Sequence, residues 1–302
     1  SVAQPSPARV RRMLKAVLLS LGTALTCAAG RQLQAQEAAE ATPTTWTVEA
    51  GAGFEYDTNV SVSEVDLSSG ESDYAFTADF KLGARHRLSE RVQGNLTYDI
   101  SQSSYREFSR VNRVTQLLGT DLSADIGGAS AGVSAYFIDS RLDGQGFLSF
   151  LRLSPALSGF ISQRWFARGA YVYSERDIDG RPRRNAETHA GEIDFYYFHR
   201  GLRSYANFGY RYRDEDAIAD EFDYRAHAFK LRYIRRFELF GRQAKAEAAV
   251  RYEFRDYPND EPTIEEPRTD DRLRWKLDVE IPLTGHFTWQ GYYSYGDYVS
   301  NL

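Results

Sequence analysis

Residues 244–255 read Ala-Lys-Ala-Glu-Ala-Ala-Val-Arg-Tyr-Glu-Phe-Arg. Ala244, Ala246, Ala248, Val250, Tyr252 and Phe254 share one parity, and Lys245, Glu247, Arg251, Glu253 and Arg255 share the other. A helix would scatter these charges round its axis, whereas a strand gathers them on one face. Alanine favours helix on propensity alone, but the strict alternation predicts a strand. Its charged face cannot lie in a dry core, because an unpaired buried charge is very costly. That face therefore needs water, and the other needs something apolar.

The same period of two runs outward in both directions. Upstream, Trp46, Val48, Ala50, Ala52, Phe54 and Tyr56 oppose Glu49 and Glu55, and Tyr74, Phe76, Phe80 and Leu82 oppose Asp79 and Lys81. Ile193, Phe195 and Tyr197 oppose Glu192 and Asp194, while Phe229, Leu231 and Tyr233 oppose Lys230 and Arg232. Downstream, Leu273, Trp275, Leu277, Val279 and Ile281 oppose Asp278 and Glu280. Leu151, Leu153 and Leu157 carry Pro155 among them, a defect in a regular ladder. About thirteen such segments follow from Trp46, each near the ~9–11 residues that cross a bilayer when tilted. A soluble β-sandwich would have shorter strands and a mostly apolar interior.

The connections alternate in length. Leu88-Ser89-Glu90, Gly127-Gly128, Ser162-Gln163, Arg200-Gly201, Leu239-Phe240-Gly241 and Leu283-Thr284-Gly285 are short. Segments 57–72, 103–112, 139–147, 175–186, 213–223 and 256–270 read as long polar loops. Bacterial barrels have short periplasmic turns and longer outer loops. The expected fold is all-β: a transmembrane up-and-down antiparallel barrel in the bacterial outer membrane. Single-chain barrels of this kind normally have an even strand count, so a last strand is expected beyond Leu302, for about 14 in the complete protein.

Composition agrees. The 302 residues include 20 Tyr and 18 Phe, yet the mean hydropathy of -0.52 is too polar for a helical membrane protein. The net charge of -5 is spread along the chain, without the basic face of a nucleic-acid binder. Arg9, Arg11, Arg12 and Lys15 precede an apolar run from Ala16 to Ala29, which reads as a signal peptide over 1–35, cleaved after Ala35. Residues 36–45 read as a periplasmic linker and 46–302 as the barrel. Cys27, the one cysteine, falls in the signal, so no cysteine-based metal site is expected.

The charged positions most suited to line a lumen are Arg168, Glu192, Asp194, Arg211, Arg213, Lys230, Arg232, Glu247, Arg251, Glu253, Arg255, Asp278 and Glu280. They read either as an ion- or sugar-selective lining or as a salt-bridge ladder that stiffens the wall and partly fills the pore. Asp214-Glu215-Asp216 and Asp270-Asp271 read as solvated acids or, less readily, as a divalent-cation site. Trp46, Tyr98, Tyr173, Tyr212, Trp275 and Tyr295 suit an interfacial belt more than a ligand-stacking track. His86, His189, His199, His227 and His286 have no Ser or carboxylate at a catalytic spacing. A pair of His227 with a nearby Ser, as in a barrel lipid hydrolase, is the enzymatic alternative. No catalysis and no cofactor are expected.

Four stretches resemble a known family: Gly53-Phe54-Glu55-Tyr56-Asp57-Thr58-Asn59-Val60, Arg141-Leu142-Asp143-Gly144, Tyr212-Arg213-Asp214-Glu215-Asp216, and Tyr293 through Leu302. They are similar to the barrel domain of the surface lipoprotein assembly modifier family and related β-barrel porins, over roughly residues 46–302. The resemblance implies a 14-stranded outer-membrane barrel that helps move lipoproteins to the cell surface. Members carry a periplasmic tetratricopeptide domain before the barrel, and residues 36–45 are too few for one such repeat. The expected function is a channel or translocation pore, for solute passage or for export or surface display. The alternative is a structural or accessory barrel sealed by its charges. Expected partners are outer-membrane lipid, a lipoprotein or secreted-polymer cargo and a periplasmic partner, with no nucleic acid.

Overall fold

A computed structural model describes residues 44–302, except 66, and the backbone of residues 20–27. Fourteen antiparallel strands form one closed ring. They are β1 (Ser20–Cys27), β2 (Thr44–Asp57), β3 (Asp73–Arg87), β4 (Val92–Tyr105), β5 (Arg113–Asp125), β6 (Ala129–Leu142), β7 (Gln145–Phe160), β8 (Trp165–Ile178), β9 (Ala186–Leu202), β10 (Ser204–Ala217), β11 (Tyr224–Leu239), β12 (Arg242–Glu261), β13 (Glu266–Pro282) and β14 (Phe287–Ser300). Each pairs with its sequence neighbours, as in an up-and-down barrel.

The thirteen strands from Thr44 onward are those expected from the alternation, the first beginning at Thr44 rather than Trp46. The fourteenth place, assigned above to a strand beyond Leu302, is held here by β1. It pairs with β14 from Ser20↔Ser294 to Cys27↔Phe287, and with β2 from Ser20↔Asp57 to Cys27↔Ala50. Open strand edges do not persist in hydrocarbon, because their backbone N–H and C=O groups would lose all partners. The pairing satisfies both edges. The rest of the segment read as signal peptide and linker, up to residue 43, lies outside the described residues.

The two ends of the ring differ. Five of the six short connections fall between strands that separate completely, and at 201–204 the turn is so tight that β9 and β10 nearly touch in sequence. At the opposite end the strands run further than the sequence suggests. The expected loop 139–147 is a two-residue hairpin turn at Asp143-Gly144, with φ of 49° and 76°, the left-handed geometry that suits a twisted hairpin. The expected loop 256–270 is mostly strand, since β12 reaches Glu261 and β13 starts at Glu266. Likewise β8 continues to Ile178 and β10 to Ala217. The wall therefore stands proud at its long-loop end.

Pro155 lies inside β7 opposite Val133. The ladder to β8 lapses beside it, passing from Ala170↔Ala156 to Tyr173↔Leu153 without a register shift. A proline cannot donate to a ladder, so the lapse falls where its missing N–H requires it.

Large apolar side chains cover the outside. Phe54, Leu118, Leu157, Ile193, Phe229 and Leu231 are each 40% exposed or more. A monomer in water does not show such a surface, but a barrel in lipid does. At one end of this surface Trp165 stacks near Tyr197, with ring centroids 4.9 Å apart. Further along, Trp275 packs against Tyr293 and Tyr295 at 5.0 and 5.9 Å. In the first long loop, 58–72, residues 59–65 turn inward while 67–72 are exposed. Val62 and Val65 pack with Phe147 and Ile178, all buried, so this loop folds back over the mouth onto β7 and β8.

Candidate functional site

The parity opposite the exposed apolar residues is the inner face of the ring. From β7 to β13 that face carries a continuous series of ion pairs. On β9, Glu192 receives Arg152 at 3.2 Å, Arg168 at 3.7 Å and Arg211. Two residues along the same strand, Asp194 pairs with Lys230 at 2.7 Å and accepts a hydrogen bond from Asn207 at 3.1 Å. Gly209 makes room for this pair: a Cβ there would lie 2.7 Å from Asp194 Oδ1 and 2.8 Å from Lys230 Cε. Arg232 binds Glu247 at 2.6 Å, and Lys245 bridges Glu247 and Glu280 at 3.6 and 2.9 Å. Asp278 pairs with Lys276 at 3.0 Å. Glu253, only 4% exposed, is shared by Arg255 at 2.6 Å, Arg251 at 2.7 Å and Arg213 at 3.8 Å.

All thirteen charged positions singled out in the sequence thus have an ion-pair partner. Strand register explains why: Lys230↔Arg251, Ala228↔Glu253 and Ala226↔Arg255 put acids and bases on adjacent rungs. Sequence reasoning did not place several further members of this series. Arg152 hides beside Pro155, and Arg176, Glu215, Arg268, Asp270 and Arg272 sit where loops were expected.

Those missed residues build the long-loop end of the series. Glu215 accepts from Arg176 at 2.7 Å and from the Tyr224 hydroxyl at 2.7 Å. Asp270, 2% exposed, accepts from Arg268 at 2.8 Å and Arg272 at 3.0 Å. The acid-rich "loops" are strands, so their acids alternate between faces. Asp214 turns outward to Arg225 while Glu215 turns inward, and Asp271 meets the outer Tyr252 hydroxyl while Asp270 turns inward. Neither acidic run gathers its carboxylates round one point. Among the described residues no group of three or more His, Cys, Asp or Glu is placed to hold a metal ion.

A cavity of about 340 Å³ opens among these residues. Among the described residues eight arginines and three glutamates line it, with Asp270 paired to two of those arginines. Aromatic rings fix the guanidinium groups: Arg255 lies over Tyr224 at 4.4 Å, Arg268 over Tyr257 at 4.9 Å and Arg184 over Phe222 at 4.3 Å. The folded-back loop supplies Ser63 and Glu64 to its edge. Glu64 takes a double hydrogen bond from Arg113, at 2.8 and 3.1 Å. Burial alone would raise the Glu64 carboxyl, but the Arg113 bonds and charge outweigh it and hold the group below its ordinary value.

The inner face of β2–β5 is different. Glu49 and Asp79 are exposed, Asp99 is half-buried, and Lys81, between Glu49 and Asp99 in register, is exposed and ion-pairs with neither. Asp121 accepts from Ser134 and Tyr136. Towards the long-loop end Asp57 accepts from the Tyr105 hydroxyl and Asp73 from the backbone N–H groups of Tyr74, Glu107 and Phe108, so the exposed Glu49, Asp79 and Lys81 lie at mid-wall.

Two of the histidines are held by tyrosines. His227 meets the Tyr210 hydroxyl at 2.8 Å and packs against Tyr212, not a serine. His189 is held the same way by Tyr171 and Tyr173. Tyr171, Tyr173, Tyr210 and Tyr212 share the outer parity with the exposed Phe and Leu residues, which suits an interfacial belt.

A closed ring with an apolar outside and a charged inside defines a membrane-spanning β-barrel of the bacterial outer-membrane class. No known protein family matches the chain, and no curated protein does. The chain is similar, at low identity, to several solved structures. OmpT, an outer membrane protein of Vibrio cholerae, has 10% identity and a TM-score of 0.40, covering 95% of this chain and 99% of that one. Acinetobacter baumannii OccAB4 has 8% identity and a TM-score of 0.38, covering 96% and 100%. Pseudomonas aeruginosa OccK1 has 8% identity and a TM-score of 0.37, covering 93% and 98%.

Proposed function

We propose that the barrel is a passive outer-membrane channel for small polar solutes, with water and solute running beside the β2–β5 wall. The observation that carries this reading is the exposure of Glu49, Asp79 and Lys81 on an inner face. Charged side chains stay hydrated only where water reaches them, so this side of the lumen is wet while the opposite side is packed with ion pairs. No chemical step is involved, and selection comes from charge and width.

The sealed accessory barrel is the second reading. It is supported by the ion-pair series and by the loop 58–72 folded over the mouth. Export or display of a lipoprotein or polymer, which the family resemblance implies, would use the same lumen with that loop displaced. The signal peptide over 1–35 belongs to the proposal too. Cleavage after Ala35 would remove β1 and leave its place to another strand.

Reconstitution in planar bilayers separates the two main readings. The channel reading expects stable, ohmic single-channel steps that persist in purified barrel. A protein that inserts, as shown by a heat-modifiable band and protease protection, yet stays silent would overturn it in favour of the sealed barrel.

A further inference from the structure

We propose that a cleft at the short-turn end of the lumen is a binding site for a neutral sugar. Where β7–β10 approach their short turns, the inner face changes from ion pairs to aromatic rings. Phe160, Phe166, Tyr196, Phe198 and Tyr205 share the inward parity with Arg168, Asp194 and Asn207. Phe160 packs against Phe166 and Phe198 with ring centroids 5.2 and 6.0 Å apart. Tyr205 closes the group against Phe198 at 5.3 Å. The belt residues of the same strands, Trp165 and Tyr197, lie on the opposite parity, so lipid contact does not account for the inner rings. A ring that served only to pack its neighbours would be covered by them. Phe160, at the edge of the group, is 62% exposed.

The cleft has a volume of about 440 Å³ and runs from Phe160 and Phe166 round to the foot of the β3–β5 wall. That volume lies in the range of small-ligand sites. Gln93, Ser123, Ser130 and Ser158 supply its polar lining. None of these four side chains has a hydrogen-bond partner among the described residues. Hydroxyl and amide groups both donate and accept, which is what ligand hydroxyls require. Arg87 and Arg91 on the lining are matched there by Glu90 and Asp125, so neither sign of ligand charge is favoured. A pyranose ring carries the two chemistries that this surface combines. Its C–H face is weakly positive and stacks on the negative face of an aromatic ring. Its rim of hydroxyls needs partners, because a polar group taken out of water without one is costly. An apolar ligand would leave the four polar side chains unanswered, and a simple ion would leave the rings unused.

This inference rests on the channel reading, whose solute class it names, but binding is measurable without conduction. Saturation-transfer NMR on the full chain, folded in a detergent without a sugar headgroup, is the test. The probes are maltose, lactose and sucrose, with sorbitol as a polyol that has the hydroxyls but no ring. The expected result is saturable transfer to the ring C–H protons of at least one disaccharide, unchanged by added salt and weak for sorbitol. Phe160→Ala should weaken binding about fivefold, the size of one lost aromatic contact. Ser130→Ala should weaken it about threefold, the size of one neutral hydrogen bond. Both side chains lie on the open cleft, so both variants should fold. Phe240→Ala removes a ring that is 89% exposed at another short turn, outside the cleft, and should leave binding unchanged. The inference is overturned by no saturable transfer to any of the three sugars, by equal transfer to sorbitol, by loss of transfer in salt, or by equal weakening in all three variants. Conduction without sugar binding removes this cleft and leaves the channel standing. Sugar binding by a barrel silent in bilayers keeps the cleft and removes the channel.

Discussion

The two sides of the barrel wall are made to one backbone plan and treat charge in opposite ways. At mid-wall of β2–β5, Glu49 and Asp79 face the interior exposed, and Lys81 is flanked by Glu49 and Asp99 but bonded to neither. Along β8–β13, Glu192, Glu247, Glu253 and Asp270 are each shared by two or three bases and largely buried among them. Surface ion pairs contribute little because water screens them. Buried ones must be complete, because an orphaned partner is costly. The wall thus uses water on one side and neighbouring side chains on the other to solve the same solvation problem. A lumen built this way is lopsided, with an acid-lined lane of water facing a cationic packed face.

The contrast breaks most readily at Glu253. Replacing it by Gln keeps the shape and removes the charge that Arg213, Arg251 and Arg255 share. Three guanidinium groups would then face one another without a counter-charge. The expected loss is about 3–5 kcal/mol of stability, the usual consequence of removing one partner from a buried pair. Urea unfolding from lipid vesicles, followed by tryptophan fluorescence, measures it. A loss under about 1 kcal/mol would mean that water already screens these arginines, and the packed side would be no different from the wet one.

Much of this contrast was readable before any coordinates. Period-two alternation names the wall strands and assigns Glu253 and Leu231 to opposite faces, because a strand has only two faces to offer. Gly127-Gly128 and Phe240-Gly241 mark hairpin turns because left-handed backbone favours glycine, and all four residues have positive φ. Pairing was not readable, since it depends on register between strands. Nor were the outer strand ends. Beyond the bilayer a strand no longer needs lipid-facing residues, so Asp256 to Asp260 loses the apolar half of its pattern and resembles a loop. The arginine cavity lies in that region and depends as well on the inward fold of 58–72. One signal for that fold was present: Val60, Val62 and Val65 are apolar in an otherwise polar loop, and all three are buried. The role of Ser20–Cys27 had no signal, because an apolar run ahead of a barrel reads first as a leader.

Glu64 tests how the loop joins the two sides. Its loop leaves from β2, on the wet side, and is pinned to Arg113 on β5 and to the apolar cluster with Phe147 and Ile178. Glu64→Gln should weaken that docking by about 1 kcal/mol, the smaller figure for a pair still partly open to water. Because its carboxyl is held below the ordinary 4.5, the ionised form stabilises the docked loop. That contribution is fully present above 4.5 and is lost as pH falls through the lower value in the folded protein. Limited proteolysis of the loop against pH should therefore show faster cleavage in acid for the native chain and a flat profile for the variant. A native profile equally flat would detach the loop from this pair.

The smallest effect on stability is expected at Asp99, and there the sign matters more than the size. Asp99 lies on the wet side, opposite Lys81 in register and near Asp79. Asp99→Asn removes a like charge from Asp79 and also an unmade partner for Lys81. These changes oppose each other across water, so stability should stay within about 0.5 kcal/mol. Ion selectivity should move instead. With fewer acids along the lane, the reversal potential in a salt gradient should shift toward anions, while Glu253→Gln, whose charge faces the packed side, should shift it less in the same direction or give no insertable barrel. If Asp99→Asn destabilised the fold as much as Glu253→Gln, the acids of β2–β5 would be load partners in a packed interior, and no wet lane would remain for a solute to follow.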